Sequence, residues 1–174
     1  ISSAVLNGGV TEANHIAILK VALRSEESGE GLEAPDITLS NYCRQRNWQG
    51  TTVGMMTAAP MDSLRLARQV EQGVEIIVVA TSGLSNPRRA GDYAEHREIG
   101  TSIAEQGTIN LIVLTTASLT QSAMIEAIMI ATEAKAAALQ NLGITSPVSK
   151  DVATGTGTDA IAIANGHGPT EIRH

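Results

Sequence analysis

Phenylalanine is missing from the chain, and one tryptophan and two tyrosines are all the large rings it has. A core built without rings must be packed from Ile, Leu, Val, Ala and Met, and any flat ligand is expected to meet aliphatic walls. Cysteine is nearly as scarce. Cys43 alone can build neither an intramolecular disulfide nor a Cys-based zinc site, which fits a reducing compartment. Basic charge is short as well: Lys and Arg number 12 against 18 Asp and Glu, leaving a formal charge of -6. The knot at Arg88-Arg89 is too short to displace the counterions of a polyphosphate, and the shortage of rings removes the stacking platforms of single-strand binders. Nucleic acid is therefore not expected as a partner. No apolar run approaches membrane-spanning length and no charged-then-apolar leader opens the chain, so a cytoplasmic protein with no membrane partner is expected. The start at Ile1 and the ending Glu171-Ile172-Arg173-His174 imply residues missing at either end.

What is present is enough for one compact domain over 1–174, since 43% of the residues are hydrophobic. Short β-rich runs alternate with helical patterns, which predicts an α/β fold: a mixed β-sheet of about six strands with helices packed on it. The strands are expected at Ser3 to Leu6, Ile16 to Val21, Thr52 to Thr57, Val74 to Thr81, Asn110 to Thr115 and Ala160 to Ala164. The sheet should be mixed because the first two of these have no helix between them. The runs around Ile77 and Ile112 lack polar alternation and should be covered on both faces.

Helices are predicted from about Ser40 to Asn47, from Pro60 to a stop at Gly73, and from Thr120 to Asn141, the last with Ser118 and Gln121 in capping-box spacing. On the third helix Glu126, Glu133 and Gln140 recur every seven residues as a solvated stripe. Lys135 falls instead among Met124, Ile128, Thr132 and Leu139, where an ammonium must snorkel, find a partner or shift its pKa downward.

Several loops carry more chemistry than turns require. Asn7, Asn14 and His15 precede a strand; His15 could serve as a general base or be satisfied by a backbone carbonyl. The turns with Ser82, Asn86 and Asp92 flank Arg88 and Arg89, and Asp92 could activate water, orient a histidine or pair with an arginine. Asn110 begins a buried strand. The loop Gly155-Thr156-Gly157-Thr158-Asp159 combines backbone freedom, two hydroxyls and a carboxylate, which suits an oxyanion or a self-capped turn. No lysine follows its last glycine, so it is not a Walker loop. His96, His167 and His174 share no ligand spacing with His15, no Gly-x-Ser-x-Gly elbow occurs, and Cys43 has no evident base nearby. No metal site and no cofactor is predicted.

Together these segments resemble the adenosylcobinamide amidohydrolase family of corrinoid salvage. The resemblance rests on Val5-Leu6-Asn7-Gly8-Gly9 with Asn14-His15, Thr81 to Asn86, Arg89 to Asp92, Gly107-Thr108-Ile109-Asn110, Thr132 to Ala136 and Gly155 to Ala160, in order along nearly the whole chain. It implies hydrolysis of the amide joining aminopropanol to a propionyl side chain of the corrin, giving adenosylcobyric acid. It also implies a corrinoid as the small-molecule partner, itself carrying the only cobalt involved. The variable stretch is Ser25 to Pro35. Amide hydrolysis needs an activated water or nucleophile, donors for the oxyanion and an acid for the leaving amine. His15, Asp92 or Glu133 could be the base. Alternatively Thr156 or Thr158 attacks with Lys135 as base, beside Asp159. Asn7, Asn14, Ser82, Asn86, Asn110, Gly155 and Gly157 are the expected substrate contacts, with Met55 and Met56 as adaptable apolar walls.

Other readings use the same residues: a corrinoid-binding module with His15 on cobalt, a threonine-dependent acyltransferase, or a phosphate cradle in the glycine-threonine loop. A homo-oligomer is compatible with each.

Overall fold

The computed structural model describes residues 1–21, 33–93 and 107–173; most of the stretch from Ser25 to Pro35, together with His96 and His174, lies outside them. In chain order the elements are β1 (His15–Lys20), α1 (Pro35–Gln45), β2 (Thr52–Thr57), β3 (Arg65–Glu71), β4 (Val74–Ser82), β5 (Pro87–Arg88), β6 (Ile109–Thr115), β7 (Ser118–Leu119), α2 (Gln121–Asn141), β8 (Gly155–Thr156), β9 (Ala160–Ala164) and β10 (Glu171–Ile172). The class is α/β, as expected. Its strands form a mixed four-stranded sheet in the order β3-β4-β6-β9, a parallel pair β1-β2, and two short pairs, β5-β8 and β7-β10.

The mixed character has a different origin from the one expected. β3 and β4 form an antiparallel hairpin, β4 and β6 are antiparallel, and β6 and β9 are parallel. The segment after Pro60 is thus a single 3-10 turn at Met61–Ser63 followed by a strand, and the predicted helix is absent. Its Leu, Arg, Gln and Glu content is helix-compatible, but Leu64, Leu66 and Val70 also recur with an even period that suits a strand. Pairing along the edge of β4 decides the outcome. Gly73 ends no helix: Gln72 (φ 49°) and Gly73 (φ 80°) are the two left-handed residues of a type I′ hairpin turn.

Nor does Ser3 to Leu6 form a strand. The first nine residues make isolated bridges, Ser2 to Gly9 and to Ala162, and Leu6 to Gly54. They thereby stitch β9 of one sheet to β2 of the other. A second stitch is Asn110 of β6, fully buried, whose Nδ2 donates to the Met56 carbonyl of β2 at 2.8 Å. Between these ties lies the apolar cluster of Ala4, Val53, Met55, Ile112, Ala160 and Ala162. Met55 is wholly inside this core and cannot serve as a substrate wall.

α1 begins with proline at its first turn, where the missing N–H is not needed, and so starts earlier than predicted. α2 runs as expected over Gln121–Asn141, but Thr120 caps it, accepting from the Ala123 N–H, in place of Ser118. It packs against β9, and Ala123 and Leu139 are its buried residues. No helix among the described residues is long and apolar enough to cross a membrane.

Candidate active site

The end of the large sheet formed by the close of β4 and the starts of β6 and β9 gathers the polar groups. Asp159 stands immediately before β9. Its Oδ1 accepts from the Ile109 N–H at 3.0 Å and from the Thr156 hydroxyl; its Oδ2 accepts from the Thr156 N–H at 3.0 Å and from Lys135 Nζ. The lysine and aspartate side chains are 12% and 10% exposed. Of the options open to an ammonium on an apolar helix face, Lys135 has therefore taken a partner. Gly155 makes the approach possible. A Cβ there would stand 2.3 Å from Asp159 Oδ2 and 2.9 Å from Lys135 Nζ, so any side chain at that position would displace the pair.

Around this hub the loops interlock. Thr108 Oγ1 and Thr158 Oγ1 are 2.7 Å apart, and Thr158 Oγ1 also donates to the Gly107 carbonyl. A Cβ on Gly107 would meet the Gly83 carbonyl oxygen at 2.3 Å and the Asn86 nitrogen at 2.9 Å. Asn86 in turn flanks Gly157 through its amide nitrogen. Below them Thr81 and Asn110 are register partners, both fully buried, and Thr81 Oγ1 and Asn110 Oδ1 have no partner among the described residues. Thr108, Gly107 and Gly83 were not singled out as site residues. The Gly-Thr pair at the start of a strand was the available sign, but its hydroxyl acquires meaning only opposite Thr158, fifty positions away.

Most of the remaining sequence candidates are placed elsewhere. His15 lies at the other end of the β1-β2 pair: it registers with Thr52, whereas Asn110 reaches β2 at Met56, roughly 13 Å further along a strand. There His15 Nε2 is 3.0 Å from the Gln49 carbonyl, Asn14 Oδ1 accepts from the Thr51 N–H, and Asn7 donates to the Thr52 carbonyl. Glu133, two positions from Lys135, is exposed on α2. Ser82, by contrast, closes β4 opposite Ile109 at the same end of the sheet as Asp159, and its N–H contacts the Ser63 hydroxyl. Asp92 is turned toward the 146–149 loop, accepting from the Ser146 hydroxyl at 2.5 Å and the Arg89 N–H at 2.8 Å. The Ser146 hydroxyl first, then the Arg89 N–H, hold its carboxyl below the ordinary carboxylate range, with Ser149 and the charge of Arg88 adding to them. An acid so engaged fastens loops together.

Two hollows lie apart from the Lys135 cluster. One of about 310 Å³ sits at the opposite end of the sheet beside Arg68, Glu75, Thr116 and Gly168; the other, about 470 Å³, is open and lies beside Tyr42 and Trp48. The first is lined by a partly exposed Arg68–Glu75 ion pair, and among the described residues no hydroxyl there is held against a carboxylate. Among the described residues no group of three or more His, Cys, Asp or Glu could hold a metal ion.

A largely buried amine, a carboxylate and a threonine hydroxyl thus meet on a glycine loop at the end of a sheet in an α/β fold. The adenosylcobinamide amidohydrolase family model matches residues 1–173, and the chain belongs to that family. It is 30% identical over 131 residues to a protein of Methanosarcina mazei named adenosylcobinamide amidohydrolase, covering 75% of this chain and 54% of that one. It is 35% identical over 128 residues to an uncharacterised protein of Methanocaldococcus jannaschii, covering 66% of this chain and 50% of that one. The chain thus spans about half the length of these curated relatives. No solved structure matches it.

Proposed function

We propose that the protein hydrolyses the amide between aminopropanol and the corrin propionyl group of adenosylcobinamide, releasing adenosylcobyric acid, with Thr156 as the attacking group. The observation that carries this reading is the Lys135–Asp159–Thr156 arrangement on the Gly155 loop; membership of the amidohydrolase family supports the reaction class.

Thr156 Oγ1 bonds to the amide carbon while its proton passes to Asp159 Oδ1, the atom to which it already donates. Lys135 stays on the other carboxylate oxygen and holds it in place. The carbonyl oxygen becomes an oxyanion, for which the Asn86 amide and the Thr158 N–H are the donors at hand; the latter now makes only a 3.4 Å contact with Thr156 Oγ1. Collapse breaks the C–N bond, and the proton held by Asp159 goes to the departing amine. Water then attacks the acyl ester, gives a proton to Asp159, and Thr156 recovers one as the carboxylic acid leaves. Lys135 plays a different part from the base considered on sequence grounds, because the carboxylate stands between it and the hydroxyl.

The test is incubation with adenosylcobinamide, with aminopropanol and the new carboxylate followed by mass spectrometry. Thr156→Ala should lower turnover by at least about a hundredfold and Thr156→Ser should restore much of it. Full activity in Thr156→Ala would make water the attacking group. Corrinoid bound but unchanged would overturn hydrolysis in favour of a binding module, and an added amine that captures the acyl group in preference to water would indicate a transferase.

A further inference from the structure

The chain has one tryptophan and two tyrosines, and the fold brings the tryptophan and one of the tyrosines to a single place. Trp48 stacks on His15 with ring centroids 5.1 Å apart and planes at 30°, and meets Tyr42 edge-on at 6.0 Å. The Arg46 guanidinium lies 4.6 Å over the Tyr42 ring. This is a built feature. Just past the end of α1, Asn47 is in the left-handed region (φ 56°), its N–H donating to the Arg44 carbonyl at 3.0 Å, while the Trp48 N–H returns to the Cys43 carbonyl at 3.1 Å. These are the two bonds of a Schellman cap, which folds the tryptophan back over the end of its own helix. His15, held at the Gln49 carbonyl, covers one face of the indole.

The indole is not sealed. Trp48 remains 36% exposed and borders an open cleft of about 470 Å³ whose other lining residues are Tyr42, Gln45 and Arg46. An indole stacked on one side and still more than a third exposed, with an amide and a guanidinium beside it, is matched by a flat, polar-edged ring. We infer that this cleft binds a planar nitrogen heterocycle of the nucleoside kind, stacked on Trp48, with Gln45 at its edge and Arg46 near any phosphate it bears. The site is distinct from the Lys135 cluster and stands whether or not that cluster hydrolyses an amide. The ring could arrive as a free nucleoside or nucleotide, or as the base of a larger ligand.

Because Trp48 is the sole tryptophan, its fluorescence reports the site directly. The whole chain is titrated with adenosine, AMP and, as a ring-free control, ribose 5-phosphate. By calorimetry adenosylcobinamide is compared with cobinamide lacking the adenosyl group. Saturable quenching by adenosine and AMP, none by ribose 5-phosphate, supports the free ligand. Binding of adenosylcobinamide that weakens about tenfold without the adenosyl group, and again in Trp48→Leu, supports the carried ring. Tyr42→Leu keeps the reporter and should weaken adenosine several-fold; Arg46→Gln should weaken AMP more than adenosine. No saturable response to any ring-bearing ligand, or the same response in folded Tyr42→Leu and Arg46→Gln, overturns the site.

Discussion

At the scale of single residues the Lys135–Asp159 pair dominates. Both side chains are nearly buried, so removing the ammonium leaves a carboxylate to be carried by its remaining protein donors, Ile109 N–H and the Thr156 N–H and hydroxyl. Breaking such a pair costs about 3 kcal/mol, and Lys135→Met should lower Tm by roughly 6–12 °C in a thermal melt. Asp92 makes a different prediction. Its native carboxyl lies below the ordinary value, so as pH falls the unfolded chain takes up the proton first. Its contribution is complete well above about pH 4 and is lost as pH drops through that value and the lower native one. Urea midpoints measured from pH 6 down to pH 3 should therefore show the gap between wild type and Asp92→Asn closing with acid; a gap that widens would contradict the assignment. Lys135 was legible in the sequence as an amine on an apolar stripe. Its partner was not, since the contact joins positions 24 apart across a helix and a loop.

At the scale of elements, turn chemistry rather than propensity explains the differences from expectation. The Gln72-Gly73 turn needs two left-handed residues, and only the second is glycine. Gly73→Ala should cost about 1–2 kcal/mol, while Gln72→Gly should be neutral or stabilising by a few tenths of a kcal/mol, both read from urea midpoints. A segment of helix-compatible residues ending in glycine satisfies the signals of a helix stop and of a hairpin alike, and local pattern cannot separate them. The long α2 was legible because, over 21 residues without Gly or Pro, Glu126, Glu133 and Gln140 keep a seven-residue spacing, so several weak signals agree. Its cap was displaced by two positions because Ser118 belongs to β7, and Thr120, immediately before the helix, has the Ala123 N–H in reach.

For the molecule as a whole, the two sheets are joined by few polar ties, of which Asn110 to the Met56 carbonyl is buried. Asn110→Ala should cost about 1–3 kcal/mol by leaving that carbonyl unpaired, and it should disturb the site as well, because Ile109, the neighbouring residue, donates to Asp159. Activity and stability should therefore fall together in this variant, whereas Thr156→Ala, which removes one donor to Asp159, should reduce activity far more than stability. The first residues tie β9 to β2 and hold no regular strand, an arrangement invisible to any local window because each bridge is made to a different distant partner.

By composition and pattern alone the amino-acid sequence determined an α/β chain with an aliphatic core, three of the four strands of its central sheet, and the long helix. Those features depend on neighbours along the chain. Which hydroxyl meets which carboxylate, why His15 stands away from Lys135, why Asp92 serves as a loop fastener, and how scarce aromatic residues come to share one cleft were decided only by tertiary structure. Each depends on strand register and on loops meeting across the fold, where a displacement of one residue would turn every side chain to the opposite face.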